Sequence, residues 1–308
     1  MALNRPLAIT MGDAAGIGPE IIARAFRDAP DLMRGCVVAG DVATLRRAAA
    51  CIAGPGQPAL PVAQVDAAAE AMAAPPRCIP VLQVAPPFAD LVPFGQVSAA
   101  AGRFAADCVR WAARAALGGE VSGIVTAPLH KEALAAAGVG FPGHTELLQA
   151  EAAAHAGVPV AAMPVRMMLA NEELRTVLVS IHLPLRAAID AVSYDNVLQT
   201  LRITHRCVRG PVDSPRRDRP RIAVAGLNPH AGEGGLFGRE EIDVIAPAIA
   251  AARAEGIDAN GPFAPDTVFM RARAQHGRPG AFDVVVAMYH DQGLIPVKYL
   301  GVERGVNV

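Results

Sequence analysis

Short apolar runs alternate along the chain with stretches of helical periodicity. Leu7–Thr10 has the length and composition of a buried strand, and the glycine turn Gly12–Gly18 follows it. A helix is predicted from Pro19 to about Arg27, because proline suits a first helical position where its missing N–H is no loss. Cys36–Ala39 is a second predicted strand, and Asp41 is placed to cap a helix running through Arg47. Ser98 is a predicted cap for a long helix with Phe104, Cys108, Trp111, Ala112 and Ala115 on one face, ended by Gly118-Gly119. Gly123–Thr126 is another strand candidate, and Ile222–Ala225 and Val284–Ala287 are two more short buried strands. Arg166–Ala170 and Thr176–Ile181, separated by Asn171-Glu172-Glu173, form a predicted hairpin. Glu240–Glu255 is a predicted amphipathic helix with Ile242, Ile245, Ala246 and Ile249 at helical spacing, and Pro247 is expected to kink or split it. Strand and helix alternating in this way predict an α/β protein with a mostly parallel sheet.

Gly54–Pro61 and Pro75–Pro93 are rich in proline and glycine and are expected as surface loops. Arg206–Arg221 mixes several arginines with two acids and is expected as a solvated loop rather than a basic contact patch. No repeat or coiled-coil heptad is visible. The 308 residues allow two domains or one large one. With 52% hydrophobic and 19% charged residues the chain is too apolar to be disordered. Aromatics are only 4%, so the core must come mainly from Ala, Val, Ile and Leu. A formal net charge of −1 excludes, by bulk charge, a strong binder of nucleic acid or membrane surfaces. No apolar run approaches the roughly 18–20 residues of a membrane span, and no signal-peptide pattern opens the chain. Cys36, Cys51, Cys78, Cys108 and Cys207 are scattered without C-x-x-C spacing, which argues against disulfides and a zinc ribbon and predicts a cytoplasmic protein.

The chemistry is concentrated in the histidines. Of eight, three recur in one context: His182, His230 and His290 each follow a predicted buried strand. Strand carboxyl ends line the ligand crevice of a parallel sheet, so three imidazoles delivered there could converge on one divalent cation. Any one of them alone is better read as a backbone partner at a strand end. GHTELL offers His144 and Thr145 just before a predicted helix, where Thr145 could instead serve as its N-cap. TAPLHKEAL places His130 and Lys131 beyond a strand. AGEGGLFGREE is glycine-rich and leads into a helix, as an anion-holding turn or a flexible one. Lys298 could bind a phosphate or carboxylate, or be solvated surface. Gly12, Gly16 and Gly18 resemble a nucleotide-phosphate turn, but their spacing is G-x-x-x-G-x-G rather than G-x-G-x-x-G, a weak dinucleotide signal.

Taken together, TMGDAAGIGPE, TAPLHKEAL, GHTELL, SIHLPL, GLNPHAGEGGLFGREEID, GPFAPDTVF and AMYHDQGLIPVKYLGVERGVNV resemble the 4-hydroxythreonine-4-phosphate dehydrogenase family, PdxA. The segments run from residue 10 to the last residue in the family's order. The resemblance implies a fold like the isocitrate and isopropylmalate dehydrogenases, with two α/β/α subdomains flanking a cleft, about 1–135 and 136–308, and a homodimer that completes the site. It implies metal ligation by His182, His230 and His290, in part from a partner subunit, with zinc, magnesium or cobalt as the cation. It implies substrate contacts at His144, Thr145, Lys298 and Asn307, and NAD or NADP as hydride acceptor, for which Gly12, Gly16 and Gly18 are the candidate contacts. Asp266 of PDTVF and Asp291 beside His290 are candidate acid/base groups or supports for the metal ligands. The implied reaction oxidises a small phosphorylated hydroxy acid, 4-hydroxythreonine 4-phosphate, to a 3-keto acid that loses CO2 on the way to pyridoxal phosphate. The related 4-phosphorylated threonate or erythronate is the alternative substrate.

Two departures stand out. Position 14 is Ala where the family usually has Pro. The family also continues beyond GVN with a substrate-binding Arg and a His-Gly-rich loop for adenosine, whereas this sequence ends at Val308. On that ground an incomplete catalyst is expected, with Asn307 at a frayed end.

Overall fold

A computed structural model describes residues 5–209, 218–275 and 277–308. The chain divides into two compact units, Met1–Pro164 and Val165–Val308. The division falls after the expected 135/136, because the helix at 144–156 packs against the long helix of the first unit.

The first unit contains β1 (Leu7–Thr10), α1 (Gly18–Asp28), β2 (Cys36–Gly40), α2 (Val42–Cys51), β3 (Val62–Val65), β4 (Ile79–Gln83), α3 (Ala99–Leu117), β5 (Ile124–Thr126), α4 (Lys131–Ala136) and α5 (His144–Ala156). Its strands pair in parallel in the order β3-β4-β2-β1-β5. Alternate residues of a strand face opposite ways, so Ile9 and Val38 pack with Ile22, Phe26 and Leu45. Ala8 and Val37 pack with Ala112, Ala115 and Val121 on the other face. Both expected caps form: Asp41 accepts from Thr44 N at 2.8 Å, and Ser98 from Ala101 N at 3.3 Å. Pro75–Pro93 is not one surface loop. Inside it lies β4, whose Ile79 and Val81 are fully buried and which pairs with both β3 and β2. The prolines that suggested a loop stand around and within it.

The second unit contains β6 (Met168–Ala170), β7 (Arg175–Leu178), α6 (Leu185–Asp190), α7 (Tyr194–Cys207), β8 (Ile222–Ala225), α8 (Ala246–Ala254), β9 (Ala259–Phe263), α9 (Val268–Ala272), β10 (Val284–Ala287), α10 (His290–Tyr299) and β11 (Val306–Asn307). Its sheet runs β11-β6-β7-β10-β8-β9. β7, β10, β8 and β9 are parallel, while β6 pairs with β7 and with β11 in the antiparallel sense, as the hairpin at Asn171 requires. Val177, Val224 and Val286 pack on α7 and α8, and Leu178, Ala225 and Ala287 on α9 and α10. Asn307 is not frayed: it pairs with Leu169, and Val308 and Met168 exchange two backbone bonds of 2.8 and 2.9 Å. Half of the Arg206–Arg221 segment, residues 210–217, lies outside the described residues, and its first two residues belong to α7. Among the described residues no helix is long and apolar enough to cross a membrane.

The helix expected over Glu240–Glu255 is split as Pro247 requires. Proline cannot donate to the carbonyl four residues back, and the chain answers with a π-helical turn, Glu241–Ile245, closed by the Ala246 N–H on Glu241 O, before α8 begins. The wider turn shifts the helical phase by one residue. Ile245 and Ile249 are buried as expected, but Ile242 is 42% exposed, and Glu241, at 2%, takes the inward position.

α10 reaches its strands only because Gly293 has no side chain. A Cβ there would stand 2.4 Å from Leu178 Cδ2 and 3.0 Å from Ala287 Cβ. Overpacking of this kind costs about 1–3 kcal/mol, against about 1 kcal/mol of helix propensity recovered by alanine. Gly293→Ala is therefore expected to lower the urea midpoint. An unchanged or raised midpoint would show that α10 is free to shift.

Candidate active site

β7, β10 and β8 are neighbours in one parallel stack, so their carboxyl ends open on the same edge. His182, His230 and His290 leave from those ends. His290 is the first residue of α10, and its Nδ1 lies 2.7 Å from Asp291 Oδ1. A carboxylate on Nδ1 fixes the ring and turns Nε2 outward as the free lone pair. The His182 ring lies beside it, centroid to centroid 5.6 Å.

The His230 segment has unusual backbone. His230, Ala231, Gly232, Glu233 and Gly234 all lie in the left-handed region, φ 44–81°, and His182 has φ 43°. This conformation costs about 1–2 kcal/mol for each residue bearing a Cβ, so the surroundings must hold it. Among the described residues no three His, Cys, Asp or Glu side chains gather closely enough to hold a metal. Within one chain His182 and His290 stand as a pair with one ring oriented, and the His230 imidazole stands on the left-handed turn. Histidines of this kind suit a divalent cation such as zinc or cobalt.

Polar bonds tie the three strand ends together. Ser180 Oγ donates to Met288 O at 3.0 Å, Met288 N donates to Gln292 Oε1 at 2.7 Å, and Gln292 Nε2 donates to Gly226 O at 2.8 Å. Beyond Gly226, the Leu227 and Asn228 N–H groups both donate to Glu241 Oε1 at 2.7 Å. Beside this chain is a cavity of about 520 Å³ lined by His230, Asp266, Phe269, Tyr289, Asp291 and Gln292 among others. Asp266 is exposed on its wall. Lys298 is exposed in the last turn of α10, and Asn307 is exposed on β11.

In the first unit, His144 is the first residue of α5 and Thr145 the second. The cap position is Gly143, so Thr145 is not the N-cap and its exposed hydroxyl is not committed to that role. His144 Nε2 is buried and, among the described residues, has no hydrogen-bond partner, and burial pushes the imidazole below its ordinary value, against an opposing bond to the Ala127 backbone. His130 caps α4, with Nδ1 accepting from Ala133 N at 3.4 Å. The glycine turn is packed rather than open. A Cβ on Gly12 would lie 2.4 Å from Pro128 O, and one on Gly18 2.5 Å from Met11 O. Gly16 is less crowded, 3.4 Å from Asp13 Cβ.

The family model described as pyridoxal phosphate biosynthetic protein PdxA matches residues 32–308. The chain belongs to the PdxA family. A 4-hydroxythreonine-4-phosphate dehydrogenase of Beijerinckia indica is 50% identical over 99% of this chain and 84% of its own length. A D-threonate 4-phosphate dehydrogenase of Salmonella typhimurium is 43% identical over 99% of this chain and 87% of its own. The crystal structure of 4-hydroxythreonine-4-phosphate dehydrogenase from Klebsiella pneumoniae superposes with a TM-score of 0.83 at 41% identity, covering 99% of this chain and 87% of that one. The fold is accordingly that of the isocitrate and isopropylmalate dehydrogenases, as the motifs imply.

Two site residues escaped the sequence reading, Gln292 and Glu241. Gln292 adjoins His290 in MYHDQG, but its partner Gly226 lies far off in sequence. Glu241 was hidden because apolar periodicity assigns the inward positions to isoleucines and gives a carboxylate no place among them.

His144 carries a pH consequence. Its folded pKa is depressed, so the unfolded chain binds a proton more readily and stability falls as pH drops from the ordinary imidazole value near 6.5 towards the folded one. The loss is complete below the folded value. His144→Asn is expected to flatten this slope in thermal melts between about pH 7 and pH 5. An identical slope in the variant would assign the acid sensitivity elsewhere.

Proposed function

We propose that the chain is a metal-dependent dehydrogenase that oxidises the secondary alcohol of 4-hydroxythreonine 4-phosphate with NAD or NADP. The observation that carries the reading is the His182–His290 pair at the strand carboxyl ends, with Asp291 holding the His290 ring. When bound there, a divalent cation supplies positive charge that lowers the pKa of the substrate alcohol. A nicotinamide, when bound, would supply the hydride acceptor for this oxidation. The alcohol proton would go to a base, and we assign that role to Asp266, exposed on the cavity wall, rather than to Asp291, which is engaged with His290. The resulting 3-keto acid is β to a carboxylate and loses CO2 to give 3-amino-2-oxopropyl phosphate. His144 and Thr145 would orient the substrate. Lys298 and Asn307, both exposed, would meet its anionic groups.

The three-histidine set is completed across a homodimer on this reading. Support comes from the two rings already paired within one chain and from the exposed Leu236 and Phe237 beside His230, apolar groups that a second copy would cover. The expected content is one divalent ion per site. His182→Ala, His230→Ala and His290→Ala should each lose it in metal analysis of purified protein. Mixing the inactive His230→Ala and His290→Ala subunits should restore part of the activity if ligands come from both copies. Stoichiometric metal in all three single variants would sink the assignment.

The substrate test is the rate of reduced nicotinamide formation with 4-hydroxythreonine 4-phosphate, D-threonate 4-phosphate and their unphosphorylated forms. The first should give the highest kcat/KM. No reduced nicotinamide from any of them would exclude the dehydrogenase reading. A charge-assisted bond from Lys298 to phosphate contributes roughly 1.5–3 kcal/mol. Lys298→Ala should therefore lower kcat/KM about ten- to hundredfold, and an unchanged value would place Lys298 outside the site.

A further inference from the structure

We infer that Glu241 is a positioning residue for His230: its buried carboxylate holds the left-handed turn that presents the imidazole. This rests on the reading of His230 as a metal ligand. The left-handed run cannot be explained by its glycines alone, since His230, Ala231 and Glu233 carry side chains and adopt the same strained backbone. Something outside the run must fix it, and most of the contacts come from Glu241, with the neighbouring Glu240 Oε2 accepting one further bond from Asn228 Nδ2 at 2.7 Å. Glu241 Oε1 accepts both the Leu227 and the Asn228 N–H at 2.7 Å, and Oε2 accepts Asn228 Nδ2 at 2.9 Å. Asn228 is the extended residue that caps the turn, two residues before the left-handed run begins at His230.

The glycines flanking His230 are shaped to this carboxylate. A Cβ on Gly226 would stand 3.0 Å from Glu241 Oε1, and one on Gly232 2.7 Å from Oε2. The chain therefore closes on the carboxylate from before and after His230. Gly238, with φ +141°, leaves room for Asn228 in the same way, since its Cβ would lie 2.4 Å from Asn228 Nδ2. A carboxylate with only 2% exposure is a costly thing to bury unless its lone pairs are filled. Here three donors fill them, and all three come from the two residues that lead into the turn.

The π-helical turn decides which neighbour stays inside. In a regular helix Glu241 and Ile242, four and three residues before Ile245, would both lie near its face. Pro247 forces the wider turn, which rotates Ile242 outward and leaves Glu241 on the buried face, where a carboxylate can accept bonds that a hydrocarbon cannot. The arrangement links a helix break, a buried acceptor and a strained histidine in one chain of contacts.

The test uses the full chain, metal-free and loaded with Co(II), as wild type, Glu241→Gln and Glu241→Ala. Amide hydrogen exchange of residues 226–238 in the metal-free protein reads the turn itself, with residues 284–299 as the internal reference. Glutamine keeps one acceptor and turns its NH2 against a donor, so exchange in 226–238 should quicken severalfold in that variant and at least tenfold with alanine. The 284–299 segment should not change. Co(II) affinity, by chelator competition, should fall about ten- to hundredfold with alanine and less with glutamine, the range found when a supporting partner of a metal ligand is lost. Unchanged exchange in 226–238 would overturn the proposal, as would equal acceleration in both segments. If alanine fails to fold, the glutamine variant decides by the same comparison. A wild type that binds no Co(II) would refute His230 as a ligand, while exchange in the metal-free protein still decides what Glu241 does.

Discussion

Parallel strands must all leave their sheet at the same edge, and in the second unit that constraint decides where the chemistry sits. β7, β10 and β8 are buried on both faces and held in register, so their ends cannot drift independently. Each releases its chain into a short loop carrying a histidine. The sheet supplies alignment to within a strand spacing. What remains for the loops is to aim rings, and the loops do so with polar bonds rather than apolar packing.

Those bonds form a continuous series across the sheet edge. Ser180 reaches Met288, Gln292 joins Met288 to Gly226, and Glu241 takes the two N–H groups that follow. The histidine-bearing loops are therefore braced against one another. His290 has a second support in its neighbour Asp291. Rings presented from braced loops have less entropy to lose when a ligand orders them.

Much of this was legible in the sequence where the signal is local. β1, β2, β8 and β10 are short apolar runs bounded by turns, and Asp41 and Ser98 cap the helices predicted for them. The three histidines stood out because each follows such a run. The parts that were not legible depend on distance or on phase. β4 is hidden among prolines, and its strand character comes from burial between β3 and β2. β9 reads Ala-Asn-Gly-Pro-Phe, a turn by composition, and is tolerated as a strand at the sheet's edge. Ile242 left the buried face because one proline widened one turn, and Glu241 stayed on it. The glycines at 12 and 18 suggested a nucleotide turn, yet each is required where it stands by a backbone carbonyl less than 3 Å from its missing Cβ.

The cysteines, dismissed above as scattered, are distributed unevenly in a useful way. Cys36, Cys78 and Cys108 are buried and all belong to the first unit, while Cys51 and Cys207 are exposed, one in each unit. A thiol reagent meeting the native protein would find two sulfurs. Opening of the first unit would uncover three more, and opening of the second would uncover none. Labelling stoichiometry thus separates the unfolding of the two halves without any engineered probe, and mass spectrometry of partly denatured samples would report which half yields first.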